Sequence, residues 1–116
     1  MLFNQGKSTE SSNQTLRKMI VYNVSIKIDN EIKEEWIQWM KEKHIPDVIN
    51  TGLFISHNFL KILNEDVEDT YAIQYFCKDM DILNSYFDQF APPLQEEHSL
   101  KYKNKFIAFR TIMKEV

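Results

Sequence analysis

Between Ile20 and Asp29 the chain alternates with strict period two. Ile20, Tyr22, Val24, Ile26 and Ile28 fall on one side, and Val21, Asn23, Ser25, Lys27 and Asp29 on the other. Such a run is a strand with one buried face. Directly afterwards the apolar period changes to four, through Ile32, Trp36, Met40 and His44, with Trp39 on the same flank. That spacing makes one stripe along a helix. A half-buried strand feeding an amphipathic helix restricts the chain to folds in which helices pack on a sheet.

Asp29 or Asn30 can cap this helix, and Glu31, Glu34 and Glu35 complement the positive end of its dipole. Pro46 disfavours helical geometry at Ile45, so a kink or stop is expected there. Val48 and Ile49 suggest one further turn, and Gly52 is a natural C-terminal cap. Leu53 to Leu63 reads as a second strand and Thr70 to Cys77 as a third, joined by the polar, acidic loop of residues 64–69. A second helical region spans Asp79 to Tyr102. Ala91-Pro92-Pro93 breaks it, and Pro93 suits the first turn of the piece carrying Leu94, His98 and Tyr102. Lys105 to Met113 is a fourth strand.

The order βαββαβ predicts an α+β, ferredoxin-like fold, with two helices on one face of a four-stranded antiparallel sheet. At 116 residues the chain suits one domain. Residues 1–18, rich in Ser, Thr, Asn, Gln and Lys, are expected to be a disordered N-terminal extension before a domain over 19–116.

A sheet covered on one side should be polar on the other. Here Ile55 and Phe59 oppose Phe54 and Leu60, Ala72 and Phe76 oppose Tyr71, Ile73 and Tyr75, and Ile107, Phe109 and Met113 oppose Phe106 and Ile112. A broad second apolar face usually marks an interface, and a two-fold homodimer is its simplest cover. The 13% aromatic content also suits a large contact surface.

Composition narrows the partners. A net charge of −3 argues against nucleic acid, which calls for a basic surface. No apolar run reaches the ~18 residues of a membrane helix, and the N-terminus lacks a signal-peptide apolar core, so a cytoplasmic location is expected. The single Cys77 excludes an intramolecular disulfide and reads as a small buried residue. No metal or cofactor is expected: the three histidines have no ligating spacing, and neither H-E-x-x-H nor a carboxylate facial triad is present.

His44, at the end of an apolar stripe beside a proline, is the candidate catalytic residue, as a general base or a polar anchor. The alternative is a histidine that bonds a backbone carbonyl at the helix-to-loop turn. Polar residues on otherwise apolar strands, namely Asn23, Ser25, His57, Gln74 and Arg110, with Asn58, are candidate ligand-binding groups. Arg110 suits a carboxylate or phosphate, or else a salt bridge to one of the chain's seventeen acids.

Met19-Ile20-Val21-Tyr22-Asn23-Val24, Trp36-x-x-Trp39-Met40, His44-Ile45-Pro46 and Thr51-Gly52-Leu53-Phe54 resemble a small bacterial family of short single-domain proteins of unknown function. The likeness continues through Tyr71-Ala72-x-Gln74-Tyr75-Phe76, Ala91-Pro92-x-Leu94, His98 and Phe106-x-Ala108-Phe109-Arg110, covering 19–116. The helix with His-x-Pro followed by glycine also resembles the wider dimeric α/β-barrel group, including ethyl tert-butyl ether degradation-like proteins. That resemblance implies two sheets facing each other around a lumen, often a small-molecule site. The expected function is therefore a dimeric domain binding a small molecule in the lumen or at the dimer interface. The alternative is a cofactor-independent isomerase or monooxygenase-like enzyme with His44 as base.

Overall fold

The computed structural model describes residues 18–116. The expected disordered extension over 1–18 falls, apart from Lys18, outside the described residues. Strand β1 spans Ile20–Ile28, β2 Ser56–Lys61, β3 Thr70–Cys77 and β4 Phe106–Lys114. They form one antiparallel sheet in the order β2-β3-β1-β4, the ferredoxin-like α+β arrangement. Strand β2 is shorter than the apolar pattern suggested. Phe54 turns into the core while Ile55 projects outward, and regular pairing of side chains starts only at Ser56.

The register fixes which side chains share a face. On the helix side Tyr22 lies beside Tyr75 and Ile112, Val24 beside Ile73 and Arg110, and Ile26 beside Tyr71 and Ala108. On the other side Asn23 lies between Gln74 and Thr111, and Ser25 between Ala72 and Phe109.

Asp29 caps the first helical segment by accepting from the Glu31 N–H at 3.0 Å. After a single 3₁₀ turn come α1, Lys33–Trp39, a π-helical turn over Met40–His44, and α2, Ile45–Ile49. In place of the kink or stop expected at Pro46, the helix runs on through a helical Ile45 after a widened turn. Proline donates no N–H and its ring crowds the carbonyl four residues back. The chain meets both demands by widening, so that Ile45 N–H bonds the Met40 carbonyl five residues earlier. Gly52 leaves the helix at φ +82°, as expected of a left-handed cap.

Helix α3 spans Met80–Gln89, capped by Asp79, whose carboxylate accepts from the Ile82 N–H at 2.9 Å. Helix α4, Ala91–Lys101, carries Pro92 and Pro93 in its first turn, where backbone N–H groups lack intrahelical partners. Trp36, Met40, Val48, Ile73 and Leu83 are fully buried between the helices and the sheet. Burial of side chains this large contributes roughly 1.5–3 kcal/mol each. No helix among the described residues is long and apolar enough to cross a membrane.

Candidate functional site

The helices do not close completely on the sheet. A cavity of about 30 Å³ remains between them, room for roughly two waters. Its floor is Tyr22, Val24 and Ile26 of β1 with Ile73 and Tyr75 of β3. Met40, His44 and Val48 form one wall, Tyr86, Gln95 and His98 another, and Phe106, Ala108 and Arg110 of β4 complete it.

His44 reaches this wall from the last residue of the π-helical turn, where its ring stacks on Trp39 at 5.3 Å and 29°. Its Nδ1 is buried and has no hydrogen-bond partner among the described residues, so within them it does not serve as a tie to a backbone carbonyl through that atom. Burial lowers its pKa to about 4, against the smaller opposing pull of the Glu97 and Asp47 carboxylates. His44 is therefore a neutral imidazole near pH 7.

His98 faces it across 5.6 Å between ring centroids. The indole N–H of Trp36 donates to His98 Nε2 at 2.9 Å. Indole nitrogen only donates, so Nε2 must be the bare nitrogen and the neutral ring carries its proton on Nδ1. Burial, reinforced by His44 and Arg110, lowers the His98 pKa to about 4 as well.

Arg110 sits on the exposed edge strand with its base over the cavity. Its Nε donates to the Tyr22 hydroxyl at 3.2 Å, and it makes no ion pair among the described residues. Burial raises the Tyr22 pKa, with Arg110 and then Gln95 opposing that shift. Burial also raises those of Tyr75 and Tyr86, so all three phenols stay protonated.

Of the residues singled out from sequence, the fold brings together His44 and Arg110. Asn23, Ser25 and Gln74 lie on the opposite face of the sheet, where they are occupied with each other and with their neighbours. Asn23 Nδ2 donates to Ser25 Oγ at 3.0 Å, and Asn58 Nδ2 to Gln74 Oε1 at 3.4 Å. His57 is on the helix side of β2 but exposed, lining a separate groove with Pro46 and Phe59.

Sequence reasoning did not single out Tyr22, Tyr86, Gln95 or His98 as site residues. His98 had a usable signal, since Leu94, His98 and Tyr102 repeat at intervals of four on one helix face. Tyr22 had none, because an inward tyrosine on a strand reads as core. Among the described residues no three His, Cys, Asp or Glu converge as a metal site would need. Cys77 is buried, its pKa raised by that burial.

Residues 19–116 match the model of a domain of unknown function, DUF4286. The chain belongs to that family. No curated protein matches it. The DUF4286 chain is similar in fold to an ethyl tert-butyl ether degradation (EthD) family protein from Bacillus halodurans, at 12% identity and TM-score 0.66, covering 84% of this chain and 99% of that one. SnoaB, a cofactor-independent oxygenase from Streptomyces nogalater, matches at 12% identity and TM-score 0.63, over 82% and 90% of the two chains. A dimeric ferredoxin-like protein from an uncultured marine organism matches at 11% identity and TM-score 0.62, over 85% and 95%. The likeness to a family of unknown function and to the ethyl tert-butyl ether degradation group, read from the residues, is thus met. At such identities the structures share the fold and nothing more specific.

Proposed function

We propose that this DUF4286 domain is a homodimer that binds a small molecule in the cavity between sheet and helices, with His44 as its central polar contact. The observation that carries this reading is that His44 lines the cavity while its buried Nδ1 has no hydrogen-bond partner among the described residues. A buried polar atom without a partner costs about 1–3 kcal/mol, a cost that a bound ligand would remove. Concave sites with a few convergent polar groups on apolar walls are the usual form of small-molecule sites.

The homodimer would form through the uncovered sheet face, where Leu60, Ile107, Phe109 and Met113 are exposed around the paired amides. That a protein of the same fold is described as dimeric supports a dimer, though not any particular face.

A second reading is a cofactor-independent enzyme with His44 as base. It is favoured by the neutral His44 ring on the cavity lining, and SnoaB is a cofactor-independent oxygenase. A base with a pKa near 4 is weak, so this reading requires the bound substrate to raise it.

Native mass spectrometry of the purified full chain tests the main reading. Expected is a dimer that retains or takes up a small molecule, with uptake reduced at least tenfold in His44→Ala. A protein with unaltered uptake in that variant would remove His44 from the site.

A further inference from the structure

The polar groups around the cavity are unbalanced in charge and in hydrogen-bonding sense. Among the described residues Arg110 is the one charged side chain of the lining, and no Asp or Glu belongs to it. Asp47 and Glu97, the acids acting on His44, are both bonded to Lys43 outside the lining.

Several of the lining's polar groups present donors, while the Gln95 amide and the tyrosine hydroxyls can both give and accept. Since Trp36 occupies His98 Nε2, that ring offers only its Nδ1–H. The Tyr22 oxygen already accepts from Arg110 Nε, which leaves its O–H proton to be given elsewhere. Arg110 retains the terminal nitrogens of its fork, all donors, and no carboxylate among the described residues takes them. Among the described residues His44 Nδ1 is the fully buried side-chain atom of the lining that has no partner.

A lining that is positively charged, free of acids and rich in donors is matched by a ligand that is anionic and rich in acceptors. We infer that the ligand of this cavity is a compact organic carboxylate, its oxygens held between the Arg110 guanidinium and the donors of Tyr22 and His98. This deepens the small-molecule reading and rests on it. The small volume sets the scale. The cavity has room for little more than the carboxylate group itself, and a short chain would require Arg110, on the exposed edge, to swing outward.

The test uses three molecules of one size: propionate, its uncharged counterpart propionamide and the cation propylamine. Each is titrated into the full chain while the imidazole resonances of His44 and His98 are followed by NMR at constant pH and ionic strength. Propionate is expected to shift both histidines saturably and to bind at least tenfold tighter than propionamide, with propylamine weaker still. Arg110→Gln should weaken propionate tenfold or more while leaving propionamide within about twofold, and Arg110→Lys should restore part of the loss. The comparison among the three ligands on the unmodified protein stands even if a variant fails to fold. Propionamide or propylamine binding as well as propionate would overturn the carboxylate assignment and leave the pocket reading in place. If none of the three shifts either histidine, both fall.

Discussion

Trp36 and His98, sixty-two positions apart, are joined by a buried hydrogen bond of 2.9 Å from indole Nε1 to imidazole Nε2. It links α1 to α4 above the sheet and sets the tautomer of a cavity histidine. Trp36 also packs edge-on to Phe59 at 5.7 Å and tilted against Tyr71 at 5.3 Å, so its position is fixed from the β2–β3 side.

Replacing Trp36 by Phe keeps most of the apolar contact and removes the donor. His98 Nε2 would then be a buried acceptor without a partner. The expected loss is about 1–3 kcal/mol from the hydrogen bond, with more from the smaller ring. Urea denaturation measures the loss. Nitrogen NMR of His98 separates the two contributions: the unmodified protein should show the Nδ1–H form alone, and Trp36→Phe a mixture of tautomers. A pure Nε2–H form in the unmodified protein would contradict the hydrogen bond as drawn.

The two histidines also make stability depend on pH. Their pKa values fall from 6.5 to about 4 on folding, burial being the chief cause for each. Between those values the unfolded chain binds more protons than the native one, so stability rises with pH across this window. It is fully present above about pH 6.5 and is lost as pH falls towards 4. A single histidine with such a shift contributes roughly 3 kcal/mol, since one pKa unit is about 1.4 kcal/mol. The pair together contributes less than twice that, because His44 is one cause of the His98 shift. Thermal melts from pH 7 to pH 4.5 should show a progressive fall in Tm. His98→Gln should flatten that slope even though it lowers the starting value. A Tm independent of pH in this interval would mean that the rings are not held neutral.

At Gly52 the backbone has φ +82°, and a Cβ built there would meet nothing within 4 Å. Substitution by Ala therefore introduces conformational strain without a steric clash. A loss of about 1 kcal/mol is expected, with Gly52→Asn intermediate because Asn tolerates the left-handed region. Denaturation midpoints of the three proteins check the order. A more stable Ala variant would show that the turn relaxes to another geometry.

The architecture was legible because it is written in local periodicities. The alternation at Ile20–Ile28 and the four-residue spacing from Ile32 to His44 each need only neighbouring residues to declare a strand and a helix. The two prolines at 92 and 93 and the glycine at 52 marked boundaries for similarly local reasons. Half of the site was also visible: His44 ends an apolar stripe, and Arg110 is a cation in an apolar strand. The alternation already set Asn23 and Ser25 opposite the buried residues of β1, and what it left open was strand register, which decides which side chains of the other strands lie beside them. The pairing of Val24 with Arg110 and of Asn23 with Gln74 and Thr111 sends Arg110 to the helix side and the amides to the other. A slip of one residue would exchange them. The contact of Trp36 with His98 depends on how two distant helices lie on the sheet, so its functional meaning was equally out of reach.

The uncovered sheet face makes the last prediction. Phe109 is 68% exposed, Ile107 58% and Leu60 46%, and Met113 lies beyond them on the same side of β4 as Phe109. Phe109 neighbours Ser25 on the central strand, so a partner sheet placed over this face would bury it early. Sedimentation of the full chain should give twice its 13.9 kDa mass. Phe109→Glu, which places a charge within that contact, should give the single-chain mass or raise the dissociation constant at least a hundredfold. Its secondary structure should be unchanged, because the side chain touches none of the helix-side core. Ile112→Glu serves as the contrast. It is also exposed but belongs to the helix side, in register with Tyr22, and should remain dimeric. If both variants sediment like the unmodified protein, the copies do not meet through this face. If Ile112→Glu alone dissociates, contact runs along the β4 edge instead.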